Sequence, residues 1–206
     1  DLSYLVDHNI YIGDGRDVEI SVPSTKTYLA HINLGYMFTL MLIQNKDNEE
    51  IINQEKTKLL NLPTQINKDL KNINDLYLEK ILNNFCTNPN WYIIYDDSSL
   101  SVTNIEIKIK LSELCYKSIP SFHINHFIPL NITNSILIIN TSNYYRDIEK
   151  NINILLKNQN TIMLVSHDKR FNLIKDKNFY FFIQENMPQN YELFSSIIFF
   201  QYFAYK

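Results

Sequence analysis

The chain has 206 residues and a mass of 24.5 kDa, enough for one large domain or parts of two. Its composition is 45% hydrophobic and 20% charged, which excludes wholesale disorder, and a net charge of −3 argues against a dedicated nucleic-acid binder. Only 3 Gly and 2 Cys are present, too few for several glycine-rich phosphate loops or for a disulfide framework, so a reducing, cytoplasmic setting is expected. The uncharged stretches 28–45 and 118–145 are interrupted by His, Asn, Gln or Pro, so both read as core segments rather than membrane spans.

In chain order, Asn9-Ile-Tyr-Ile12 reads as a strand and Gly13-Asp-Gly15 as a turn. Pro23-Ser24-Thr25 opens a helix with Ser24 as N-cap, followed by Tyr28, Ile32, Tyr36 and Met37 at helical spacing. Residues 44–58 are polar and read as a solvated segment, and helical periodicity returns over 59–85. Apolar runs then predict strands at 91–95, 121–124, 135–140, 161–165 and 179–183, with helices over 101–119, 144–158 and 190–206. Near-continuously apolar strands alternating with helices are the pattern of an α/β fold, a parallel sheet with helices on both faces. Such sheets bind ligands at the carboxyl ends of their strands.

Chemistry-bearing residues concentrate on the helix predicted at 101–119. Glu106, Lys110 and Glu113 are spaced i, i+4, i+7 and fall within about 60° of one another on one face. Ile107, Leu111 and Leu114 flank this row on one side, and Ile105, Ile109 and Tyr116 on the other. Two readings stand open. The row is a solvated face with a helix ion pair worth a few tenths of a kcal/mol, or it enters a cleft where a carboxylate between apolar groups acts as a general base. The segment Glu19-Ile-Ser-Val-Pro-Ser-Thr-Lys26 brings hydroxyls and free backbone N–H groups to a helix start. It is either a plain N-cap or a seat for an anion or polar ligand. His123 and His126 could share a metal, but no third ligand is spaced to help, so no metal site is expected. Cys86 and Cys115 read as reduced core residues, and Ser166-His-Asp168 lacks a nucleophile-elbow pattern.

Several segments, in collinear order, resemble one family. Glu19-Ile-Ser-Val-Pro-Ser-Thr-Lys-Thr-Tyr28, Leu60-Asn-Leu-Pro-Thr-Gln-Ile66, Ile109-Lys-Leu-Ser-Glu-Leu-Cys-Tyr116, the stretch 151–168 and Phe200-Gln-Tyr-Phe-Ala-Tyr205 are similar to segments of the isomerase half of glutamine–fructose-6-phosphate aminotransferases. That half consists of two sugar-isomerase (SIS) domains, each a flavodoxin-like three-layer sandwich. The resemblance implies that residues 1–46 are the end of a first SIS domain, 47–85 a helical connector, and 86–206 a second SIS domain without its C-terminal tail. It implies a fragment: a phosphate loop and a glutaminase domain are expected upstream, and a lysine-bearing tail downstream. By residue, Glu113 matches the base that moves a proton between C1 and C2 of the sugar, and Lys110 the basic residue one turn earlier. Ser24, Thr25 and Val22 match sugar-contacting positions, and Glu106 an acidic supporting residue. The expected partners are a sugar phosphate and a second copy of the chain, with no cofactor, nucleic acid or membrane. The alternatives are a tandem-SIS sugar-phosphate deaminase or deglycase, and a non-catalytic sugar-phosphate-binding protein. Two departures matter. Asp96-Asp-Ser-Ser99 stands where the family has a glycine-rich turn, and in His126-Phe-Ile-Pro129 the family's ring-opening histidine aligns with Phe127, leaving the adjacent His126 as its candidate replacement.

Overall fold

The computed structural model describes residues 8, 10, 25–44, 46–73, 75–96, 100–142, 146–185, 187 and 191–206. The strand expected at 9–12 and the turn at 13–15 fall outside these but for Ile10. The chain divides into two compact units, residues 1–57 and 58–206. In the first, α1 spans Lys26–Leu42. Ser24 lies outside the described residues, and Thr25 occupies the N-cap position without a side-chain capping bond.

Helix α2 runs from Glu49 to Lys71, so the segment read as solvated up to residue 58 is mostly exposed, and it is helical from residue 49. Residues 49–58 hold no Gly or Pro and are rich in Glu, Gln and Lys, all good helix formers. Glu49 and Glu50 complement the positive end of the helix, and Ile52 is fully buried. Pro63 sits inside α2 on its exposed side, where water can serve the carbonyl left without a helical donor. The helical periodicity read over 59–85 is carried by two helices: α2 ends at Lys71, and α3 takes up Asp75–Thr87.

The second unit holds a five-stranded sheet of β1 (Trp91–Tyr95), β2 (Ser121–His123), β3 (Ile136–Asn140), β4 (Thr161–Ser166) and β5 (Phe179–Ile183). All pairings are parallel, and the order is β2-β1-β3-β4-β5. The helices are α4 (Ser101–Cys115), the short α5 (Ile124–Phe127), α6 (Arg146–Lys157) and α7 (Glu192–Tyr205). This is the three-layer α/β architecture expected from the sequence. One apolar layer joins Ile81 and Phe85 of α3, Ile107 and Leu111 of α4 and Phe199 and Phe203 of α7 to the sheet. The opposite layer joins Ile148, Ile152 and Leu155 of α6 with Phe127 and Phe171 to the other sheet face. Every residue of β3 is buried, as a central strand covered on both faces must be.

Polar residues close the turns. Trp91 Nε1 donates to the carbonyl oxygens of Phe85 (3.0 Å) and Asn88 (2.8 Å), which ties the end of α3 to the start of β1. Helix α4 ends four residues earlier than expected, with Tyr116 in the left-handed region at φ 52°. Cys115 is half-buried, but Cys86 is exposed rather than in the core, because it falls on the outward side of the last turn of α3. No helix among the described residues is long and apolar enough to cross a membrane.

Asn160, fully buried, is the clearest single staple. Its Oδ1 accepts the Ser135 N–H at 3.0 Å, and its Nδ2 donates to the Ile132 and Leu155 carbonyls, each at 3.0 Å. Asn160→Ala leaves these buried groups unpaired and should cost about 3 kcal/mol. That corresponds to a fall in melting temperature of roughly 6–12 °C in a chain of this size, measurable by thermal unfolding followed by circular dichroism.

Candidate functional site

Helix α4 sits with its charged row turned inward. Glu106 and Lys110 are 7% and 4% exposed, so the solvated-face reading is overturned. Lys110 Nζ lies 3.1 Å from Glu106 Oε1 and 4.0 Å from Glu113 Oε2. The Glu113 side chain is 36% exposed and stands at the rim of the row. Outward from it, Val102, Ile105, Ile109 and Tyr116 are exposed. The helix is thus reversed from a simple amphipathic surface helix, since Ile107 and Leu111 anchor it in the core while the ion pair shares the buried side. An ammonium held between two carboxylates, one buried and one reachable, can keep a carboxylate charged and aimed at a proton donor at the boundary with water.

The other predicted residues are placed differently. Thr25 belongs to the first unit, and Val22 and Ser24 lie outside the described residues. His126 is exposed on α5, its ring centroid 5.5 Å from that of His123. Phe127, at the position where the family's histidine aligns, is 1% exposed and packs against Tyr92 and Phe122. Among the described residues no three His, Cys, Asp or Glu side chains form a metal-holding group.

The sequence pointed to the carboxyl ends of the strands but not to the residues that meet there. The strand order reverses between β1 and β3, the position where open parallel sheets take up ligands. Here Thr141 Oγ1 donates to Asp96 Oδ2 at 2.6 Å, and both residues are buried. The carboxylate of Asp96 supplies the negative charge at this crevice, which disfavours a phosphate in the same place. Behind it runs a buried polar chain. Asn140 Nδ2 donates to Thr103 Oγ1 of α4 at 2.9 Å, and Ser196 Oγ of α7 donates to Asn140 Oδ1 at 3.0 Å. The signal in the sequence was a polar residue directly after three of the apolar strands: Asp96 after β1, Thr141 after β3 and Gln184 after β5. At the same edge His167 Nδ1 lies 3.0 Å from Glu192 Oε1, at the start of α7. Its hydrogen bond to Glu192 raises the His167 pKa above the usual histidine value, against the opposing effect of partial burial.

This fold is that of the SIS domain and of phosphosugar isomerases. The C-terminal domain of glucosamine-fructose-6-phosphate aminotransferase from Francisella tularensis superposes with a TM-score of 0.70 at 17% identity, over 91% of this chain and 55% of that one. A Salmonella typhimurium LT2 protein described as a sugar binding protein gives a TM-score of 0.71 at 13% identity, over 99% of this chain and 60% of that one. A Clostridium difficile 630 protein described as a phosphosugar isomerase gives 0.63 at 13% identity, over 92% of this chain and 55% of that one. The chain therefore spans between 55% and 60% of the length of these three proteins. No protein-family model and no curated protein matches the sequence.

The buried charges make two outcomes measurable. Lys110→Met leaves the buried Glu106 without its partner and should cost about 3–5 kcal/mol, whereas the double variant Glu106→Leu/Lys110→Met should be the more stable of the two. Urea unfolding of both variants checks this. For His167, a pKa raised by folding contributes stability that is fully present below the unfolded value of about 6.5 and is lost as the pH rises through the folded value. The stability difference between wild type and His167→Gln should therefore be largest near pH 5.5 and smallest near pH 8.5.

Proposed function

We propose that the chain is the isomerase part of a sugar-phosphate-converting enzyme of the aminotransferase type, acting on fructose 6-phosphate to give glucosamine 6-phosphate. The observation that carries this reading is the α4 row, with its inner ion pair buried and Glu113 at the rim. Interconverting a ketose and an aldose requires a base beside a carbon made acidic by an adjacent carbonyl or imine, in a site that restricts water. Glu113 is the base, taking a proton from one of C1 and C2 and returning it to the other. Lys110 holds Glu113 in position and offers positive charge where the enolic oxygen or nitrogen becomes electron-rich. Glu106 keeps Lys110 in place. Val22, Ser24 and Thr25 keep the sugar-contacting roles that the resemblance implies, and His126 is the candidate for ring opening. The site works in a homodimer in the cytoplasm, with glutamine as amino donor and its ammonia released by a glutaminase domain. The likeness of fold to the Francisella domain supports the substrate class.

A second reading has its own support. Phe127 is locked in the core at the ring-opening position, and Asp96 stands where the family has glycine. The first suits a protein that binds a sugar phosphate without turning it over, its phosphate held away from the Asp96 carboxylate.

Glu113→Gln in the full-length protein separates the two readings. Turnover, and the exchange of sugar C1 and C2 protons with deuterated water followed by NMR, should fall by about 10²-fold or more, with the Kd for fructose 6-phosphate little changed. Unchanged turnover removes Glu113 as the base. Binding without turnover in the wild type supports the non-catalytic reading.

A further inference from the structure

The two cysteines meet at the amino edge of the sheet, where two helices end. Cys86 lies in the last turn of α3, which feeds β1, and Cys115 closes α4, which feeds β2. Strands β1 and β2 are parallel neighbours, so both helix ends arrive on the same side of the sheet. Side chains then tie the two ends together. Lys117, two residues after Cys115, donates to the carbonyl oxygen of Asn88, two residues after Cys86, at 3.0 Å. The same ammonium stands 4.7 Å from the centre of the Trp91 ring, and Trp91 Nε1 donates to the Phe85 carbonyl at 3.0 Å. Cys115 packs against the apolar layer that holds Phe85, Trp91 and Leu111. The cysteines thus occupy matching places, each two residues ahead of one end of the Lys117–Asn88 bond.

The thiols are coupled but unlike. Burial pushes the Cys115 thiol above its ordinary value, Cys86 pushes it the same way, and Lys117 opposes them. Both thiols are free, Cys86 exposed and Cys115 half-buried, so an oxidant in water meets Cys86 first. Both stand on terminal helical turns, the part of a helix that opens most readily. A structural zinc takes four ligands, and among the described residues no third His, Cys, Asp or Glu joins the pair.

We infer that Cys86 and Cys115 are a peroxide-responsive pair that closes into an intramolecular disulfide, with Cys86 attacked first and Cys115 resolving it. The Cys86 thiolate attacks one oxygen of hydrogen peroxide and the O–O bond breaks. Sulfur is oxidised to sulfenic acid, and the other oxygen leaves as water with the thiol proton. The Cys115 thiolate then attacks the Cys86 sulfur, the S–O bond breaks, and a second water leaves with the Cys115 proton. Two thiols and one peroxide give one disulfide and two waters. Transient disulfides of this redox-sensing kind are those that occur in reducing compartments. The crosslink joins the turn of α4 that carries Glu113 to the end of α3. The inference rests on the thiols and their surroundings and not on the sugar-phosphate reading.

The test is oxidation of the reduced full chain by hydrogen peroxide in dilute solution, followed by digestion without reductant and mass spectrometry. The peptide holding Cys86 should be joined to the peptide holding Cys115. Both free thiols should be lost together, the chain should stay monomeric on a non-reducing gel, and dithiothreitol should restore both thiols. Cys115→Ser should stop at a Cys86 sulfenic acid that dimedone traps, and Cys86→Ser should slow oxidation of Cys115 at least about tenfold. Oxidation of Cys86 to sulfinic acid while Cys115 stays free overturns the inference. So do crosslinks only between chains, or two thiols left intact by excess peroxide. The wild-type peptide map decides even where a variant fails to fold.

Discussion

The buried contact between Glu106 and Lys110 is the constraint on which the rest of the second unit depends. Two charges taken out of water carry a desolvation cost of several kcal/mol each, so their geometry must be held closely. The 3.1 Å contact joins residues four apart on α4, and with the charged row turned inward it leaves neither charge unpaired in the buried layer. That rotation places Ile107 and Leu111 in the sheet layer and leaves Val102, Ile105 and Ile109 outside. It also fixes Glu113, one turn on, at the boundary between the protein and water.

Packing and polar bonding act together to hold that rotation. Helix α7 lies along α4, and the chain Thr103, Asn140, Ser196 and Gln184 runs through the layer between them at the carboxyl edge. These four residues are buried, so each missing bond would cost more than each formed bond contributes. The same edge carries His167 against Glu192, which adds a charge-assisted contact at the start of α7. Asp96 and Thr141 fill the crevice at the strand-order reversal with a carboxylate and a hydroxyl. The edge is therefore specialised for internal bonding at one point and for an open rim at Glu113.

Much of the architecture was legible because its signals are strong and local. Runs such as Ser135-Ile-Leu-Ile-Ile-Asn140 leave no face for water, and only a strand covered on both sides satisfies them. The row on α4 was legible as spacing but not as direction. Periodicity says that Glu106, Lys110 and Glu113 share a face, and nothing in it says that the face points inward when apolar residues flank it on both sides. The helix over 49–58 was hidden because its polar surface residues look like coil when only Ile52 marks the buried side. The carboxyl edge was hidden for a different reason. Asp96, Thr141 and Gln184 are polar residues directly after strands, indistinguishable in sequence from turn residues, and meet their partners, Asp96 with Thr141 and Gln184 with Ser196, only once the sheet and α7 are assembled. The position of Phe127 in the core follows from its contacts with Tyr92 and Phe122, which no local pattern encodes.

The central claim is that the charged row of α4 is where a sugar phosphate is handled. Its most direct test is the response of Lys110 to fructose 6-phosphate in the full-length protein, read from the 13Cε resonance of labelled lysine and assigned with Lys110→Arg. The Lys110 signal should shift saturably on addition of the sugar phosphate. A Lys110 signal that stays fixed while the sugar phosphate binds, or at every concentration added, would contradict it.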